Sequence, residues 1–144
     1  MKQNFPVRIV EQNNQFKAGT SLNILSEKSK NILQELSYIE VDYTNLINLA
    51  GNLYNSILIA SKSKKADPRF YWLLGDCILG FIHRINDLGY YLLQQNKTLA
   101  TSVKISESSI KKIISFRKRF SKISAIDPAI PWAKYRDNKI PIQK

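Results

Sequence analysis

The stretch Asn96–Phe120, NKTLATSVKISESSIKKIISFRKRF, decides the reading of this 144-residue chain. Its apolar spacing predicts two short helices joined by a tight turn, a helix-turn-helix. Leu99 and Val103 are four apart and share one face of the first helix. Ala100 is small enough for the place where the two helices come closest. Ile105 lies in the turn, and Ile110, Ile113 and Ile114 form the inner face of a second helix that begins at Ser106. The outer face is then Ser106, Glu107, Ser108, Lys111, Lys112 and Ser115, a polar and basic surface suited to a groove. The turn position that favours glycine holds Lys104, which must go left-handed or lengthen the turn.

Charge supports that reading. The formal net charge is +11. Residues 1–60 hold five basic and five acidic side chains, whereas residues 61–144 hold seventeen and six. Between Lys97 and Lys122, eight basic residues face Glu107 alone. Charge serving solubility would be spread along the chain, so this concentration predicts a polyanionic partner. Double-stranded DNA fits better than a membrane surface, because the lysines sit on the helix-turn-helix pattern and not beside a strongly apolar face. The lone Cys77 suits a reducing compartment. No secretory signal or membrane-length apolar run is visible. The expected location is cytoplasmic and nucleoid-associated.

Working outward, Phe5–Val10 predicts a short strand or an extended arm, with Pro6 restricting it to an edge. Glu11–Gly19 reads as turn. A helix is expected after Thr20 or Ser21 as cap, with Leu22, Leu25, Ile32, Leu33, Leu36 and Ile39 inside. A second, starting near Asp42 or Thr44, is expected to bury Leu46, Leu49, Ala50, Leu53, Ile57 and Ala60. Residues 61–67, SKSKKAD, form a linker capped by Asp67, and Pro68 opens a long central helix to Leu93. Asp127-Pro128 and Ile130-Pro131 mark a loop, Trp132–Asn138 a last helical turn and Ile140–Lys144 a tail. The expected architecture is all-α, one compact domain of about five helices over residues 1–144. It divides into an arm at 1–19, a neutral helical part at 20–60, the core helix and helix-turn-helix at 68–122, and a loop and tail at 123–144.

Nothing in the chain predicts catalysis or a cofactor. His83 shares a helix face with Asp76 and Asp87, but an Arg84–Asp87 ion pair is the expected use of that strip, and no further cluster supplies metal ligands. No glycine-rich phosphate loop is present, and the RxxxxH motif of helical ribonucleases is absent because Ile78 stands five before His83. Tyr71 and Trp72 are expected in the core. Tyr135, between Lys134 and Arg136, is open to either packing or base stacking.

Three anchors in order, Tyr71-Trp72-Leu73-Leu74-Gly75, Ile105-Ser106 with Phe116 and Phe120, and Trp132-Ala133-Lys134-Tyr135-Arg136, resemble the helical N-terminal domain of the YhcG-type family. The likeness covers about residues 45–138. It implies the DNA-binding half of a protein whose PD-(D/E)XK nuclease half would begin where this sequence stops, and hence binding without cutting. It also implies that Trp132, Tyr135 and Arg136 dock against the helix-turn-helix.

The expectation is therefore a non-enzymatic duplex-DNA-binding protein, a transcriptional regulator or the DNA-targeting subunit of a mobile-element or defence system. Base contacts are expected from Ser106, Glu107, Ser108, Lys111, Lys112 and Ser115. Phosphate contacts are expected from Lys97, Thr98, Lys104, Arg117, Lys118, Arg119, Lys122 and Arg136. Residues 20–60 are the candidate surface for a homodimer or a protein partner. The rival readings are a protein-interaction adaptor with a basic face and an RNA-binding helical accessory protein.

Overall fold

The computed structural model describes residues 4–20, 31–63 and 67–138, the side chains of 57–63 excepted. Its N-terminal residues overturn the all-α expectation. Strand β1 (Phe5–Gln12) turns at Asn13-Asn14 into β2 (Gln15–Gly19), paired antiparallel from Arg8↔Gly19 to Gln12↔Gln15. Both turn residues have positive φ, 51° and 63°, as a two-residue hairpin loop matched to strand twist requires. Val7 and Ile9 face the core while Arg8 and Val10 face out, the period-two alternation of a strand covered on one side.

A third strand, β3 (Tyr90–Leu92), pairs parallel with β1 over Phe5↔Tyr90, Pro6↔Tyr91 and Val7↔Leu92, giving the order β2-β1-β3. β1 is thus the central strand, not an edge. Pro6 is tolerated there because Phe5 N–H and Val7 C=O are the groups that bond toward β3. The missing donor of Pro6 points the other way, where the β1–β2 ladder has already ended at Arg8. The Pro6 carbonyl accepts instead from the Thr20 hydroxyl at 2.7 Å, so Thr20 closes the hairpin where a helix cap was expected.

Where two helices were expected over 20–60, one runs without a break: α1 (Ile32–Ser63). Ser21, Leu22 and Leu25 lie outside the described residues. Tyr43 explains the continuity. It fills an inner position between Ile39 and Leu46, so the buried residues Ile32, Leu36, Ile39, Tyr43, Leu46 and Ala50 step by fours and threes in a single stripe. Leu33 and Leu49, both expected inside, are exposed instead.

Helix α2 (Pro68–Asp87) starts as expected, with the Asp67 carboxylate accepting from the Arg69 N–H at 3.0 Å and Pro68 in the first turn. It stops earlier than expected. Gly89 takes φ 94°, and the chain leaves as β3. Then follow α3 (Gln95–Val103), α4 (Glu107–Arg119), a 3₁₀ turn at Ile123–Ala125 and α5 (Trp132–Arg136). The result is a mixed α/β architecture with a helical majority.

Two buried clusters hold these elements. The larger gathers Val7 and Ile9 of the sheet with the inner faces of α1, α2, α3 and α4. The smaller consists of Trp72, Phe116, Phe120, Ile126 and Tyr135 and fastens the C-terminal segment to the end of α4. Tyr43 ties α1 to α3, its buried hydroxyl donating to Ser102 Oγ at 2.6 Å. Glu40 accepts from the Ala18 N–H of β2 at 3.0 Å, satisfying a donor on the sheet edge. Among the described residues no helix is long and apolar enough to cross a membrane.

Candidate nucleic-acid interface

Helices α3 and α4 are joined by a turn that carries Lys104 at φ 67°, ψ 43°, the left-handed conformation. The Lys104 and Ile105 N–H groups both donate to the Ala100 carbonyl, at 2.9 and 3.1 Å. This closes the end of α3 in the manner of a glycine cap, at some backbone cost for a residue with a Cβ. Ser106 then caps α4, its Oγ accepting from the Ser109 N–H at 3.0 Å. Ile110, Ile113, Ile114 and Phe116 are buried, each contributing roughly 1.5–3 kcal/mol of apolar burial. Glu107 in the first turn and Arg117, Lys118 and Arg119 in the last complement the helix dipole.

Gly75 sets how closely α4 lies on α2. A Cβ added there would meet Arg117 Cβ at 2.7 Å and the Ile113 carbonyl at 3.0 Å, so the close crossing depends on its absence. Nothing in the helix periodicity singles out Gly75. Its signal was its place at the end of the Tyr71–Gly75 motif.

The residues expected to meet bases lie together. Ser106, Glu107, Ser108, Lys111, Lys112 and Ser115 are all exposed along one side of α4. Ser106 is already engaged as the cap, so its hydroxyl is less available than that of Ser108 or Ser115. Two shallow clefts flank the ridge of Lys111 and Ser115. One, of about 470 Å³, reaches Lys118 and the start of α3 at Gln95 and Asn96. The other, of about 480 Å³, reaches Lys112 and the Arg136–Asn138 segment. Arg119 borders both, its Nε buried and without a hydrogen-bond partner.

The residues expected to meet phosphates divide. Lys97, Lys104, Lys118 and Lys122 are exposed. Arg117 is not a free cation: its Nε donates to Asp76 Oδ1 at 3.0 Å and its guanidinium lies 4.5 Å above the Trp72 ring, with the side chain 22% exposed. Trp72 Nε1 in turn donates to the Phe120 carbonyl at 2.7 Å, so Arg117 and Trp72 together fix the end of α4. Arg119 donates to the Tyr135 carbonyl at 2.6 Å. Thr98 turns inward, its hydroxyl donating to the Leu93 carbonyl at 3.0 Å. Arg136 is exposed but paired with Asp137 at 3.0 Å. Arg117 and Thr98, both expected at phosphates, thus have protein partners that sequence spacing could not reveal.

The C-terminal segment packs as an aromatic clasp. Trp132 stacks on Tyr71 with ring centroids 4.0 Å apart and 5° between planes, and meets Phe116 edge-on at 4.9 Å. Tyr135 is buried against Phe116 and Phe120, and its hydroxyl accepts from the Asp127 N–H at 2.8 Å. Tyr135 is thereby a packing residue.

The His83 strip is also rearranged. Arg84 pairs with Asp42 across to α1 at 2.8 Å, where Asp87 on its own helix was expected. Among the described residues no group of three or more His, Cys, Asp or Glu is placed to hold a metal ion. Comparison with protein-family models, with curated proteins and with solved structures gives no match to this chain.

Proposed function

We propose that the protein binds duplex DNA, with α4 entering the major groove, and that it acts without catalysis as a nucleoid-associated transcriptional regulator or DNA-targeting subunit. One observation carries the reading. On α4, Ser108, Lys111, Lys112 and Ser115 stand exposed in a row, and neither lysine makes an ion pair among the described residues. A solvated helix face ordinarily mixes both signs of charge. Apart from Glu107 in the first turn, this side has hydroxyls and unpaired ammonium groups, donors and acceptors of the kind that base edges present.

The surroundings agree. Lys97, Lys104, Lys118 and Lys122 stand exposed on α3, the turn, α4 and the segment after it, available to the sugar–phosphate backbones that border a groove. Arg136 can join them if it exchanges Asp137 for a phosphate. The ordered anchors that resemble the YhcG-type DNA-binding domain fall on α2, α4 and α5, elements in mutual contact, which supports reading them as one binding unit.

Selection from random duplexes with structured RNA as competitor tests the proposal. The expected result is an enriched duplex motif that RNA does not displace. With the four lysine–phosphate contacts, and Arg136 as a fifth, affinity should fall by roughly two to three orders of magnitude between about 50 and 200 mM salt. Displacement by RNA, or a flat salt response, overturns it.

A further inference from the structure

We infer that the cleft enclosed by α1, α2, α4 and α5 binds a phosphoryl group, held between Lys112 and Arg136. This goes beyond the duplex reading, because the cleft is complete without DNA.

The cleft measures about 200 Å³ and lies beside the exposed row of α4. Four elements supply its walls: Tyr54 from α1, Tyr71 from α2, Ser109 and Lys112 from α4, and Trp132 and Arg136 from α5. Two cations and three hydroxyls therefore line one small space, and no carboxylate lines it. Asp137, the partner of Arg136, is not part of the wall.

The donors are uncommitted. Lys112 makes no ion pair among the described residues. Asp137 takes Nε and Nη2 of Arg136, at 3.0 and 3.2 Å, which leaves Nη1 without a partner among the described residues. Ser109 Oγ accepts from the Ser106 hydroxyl at 2.8 Å, so its own proton remains to be donated. The Tyr71 hydroxyl interacts electrostatically with both Arg136 and Tyr54, which brings these three groups together in the cleft. Burial raises the Tyr71 hydroxyl, so it stays a donor at neutral pH.

Size and walls select the ligand. Tyr71 and Trp132 stack with centroids 4.0 Å apart, so one face of each ring is already spent and not open to a nucleobase. The volume is below the roughly 300 Å³ at which sites for drug-sized molecules begin. Both points disfavour a whole nucleotide and favour the small anion that converging cations and hydroxyls hold best, a phosphoryl group. Trp132 also meets Phe116 edge-on, so packing fixes this wall before any ligand arrives. The group can come from a free phosphorylated molecule or from the DNA backbone. Lys112 belongs to both the cleft and the exposed row, so either source acts on α4.

Calorimetric titration of inorganic phosphate into the full chain without DNA, at constant ionic strength in chloride, tests the inference. The expected result is one saturable site per chain. Tyr71→Phe keeps the stacked ring and removes the hydroxyl, so it should weaken binding at least about tenfold with unchanged circular dichroism. Lys112→Gln with Arg136→Gln should abolish binding. Absence of a saturable site, or binding that either Tyr71→Phe or the double variant leaves unchanged, overturns the inference. Duplex affinity of Tyr71→Phe separates the sources: a parallel loss assigns the phosphoryl group to the backbone, and unchanged affinity assigns it to a free molecule. Phosphate binding is read without DNA, so its failure is distinguishable from failure of the duplex proposal.

Discussion

Two helices of this protein each turn a full row of side chains to solvent, and the rows differ in kind. The outer row of α4 is hydroxyl and ammonium, that of α1 Val41 among amide and hydroxyl side chains. Both helices bury a conventional apolar stripe on the other side, so packing explains the inner faces and leaves the outer ones open. Burial drives both helices onto the core, whereas the charge of the outer row decides which of them draws a polyanion. The two rows are mechanically linked through α2 and α3, because Gly75 seats α4 on α2 and Tyr43 of α1 holds α3 through Ser102.

The comparison is broken most severely at Gly75. Gly75→Ala places a methyl group against Arg117 Cβ and the Ile113 carbonyl, neither of which can yield without shifting α4. A loss of about 1–3 kcal/mol is expected from such overpacking, read as a lower denaturation midpoint. Duplex affinity should drop with it, while circular dichroism of the folded variant keeps the helix content of the wild type. Unchanged duplex affinity in the folded variant would show that the seating of α4 on α2 does not govern binding.

A smaller effect sharpens the link between the rows. Burial pushes the Tyr43 hydroxyl up to about 12 and raises Tyr90 as well. A folded-state value above the unfolded one, near 10, means that the stabilisation is complete below about pH 10 and is lost as pH rises through the folded value. Denaturation of wild type and Tyr43→Phe at pH 8 and pH 11 should therefore show the variant losing less stability with pH. Equal losses would contradict the assignment.

Much of the candidate interface was legible in the sequence because it rests on local rules. The spacing of Leu99, Val103, Ile110 and Ile113, the Ser106 cap and the left-handed Lys104 all follow from residues close in the chain. The sheet was not read, although Asn13-Asn14 between alternating residues is a hairpin signal. Pro6 argued for an edge position, and only pairing with the distant Tyr90–Leu92 shows where its missing donor points. The break expected inside α1 came from passing over Tyr43 as an apolar position. Leu33 and Leu49 were expected inside but lie about a quarter-turn to either side of that stripe and are exposed. Arg117 counted as a free charge until the fold brought Asp76 and Trp72 to it from α2. Charges in sequence are countable, but their partners are set by tertiary contacts.

The central claim is that α4 carries the DNA contact. Its most direct test is fluorescence anisotropy of a labelled selected duplex with the double variant Lys111→Glu, Lys112→Glu. Both lysines are exposed and make no ion pair among the described residues, so the fold should be unchanged by circular dichroism. The account predicts loss of affinity by at least about a hundredfold at low salt, since each reversal replaces an attraction to phosphate or base edge with a repulsion. Retention of wild-type affinity by the folded double variant would contradict it.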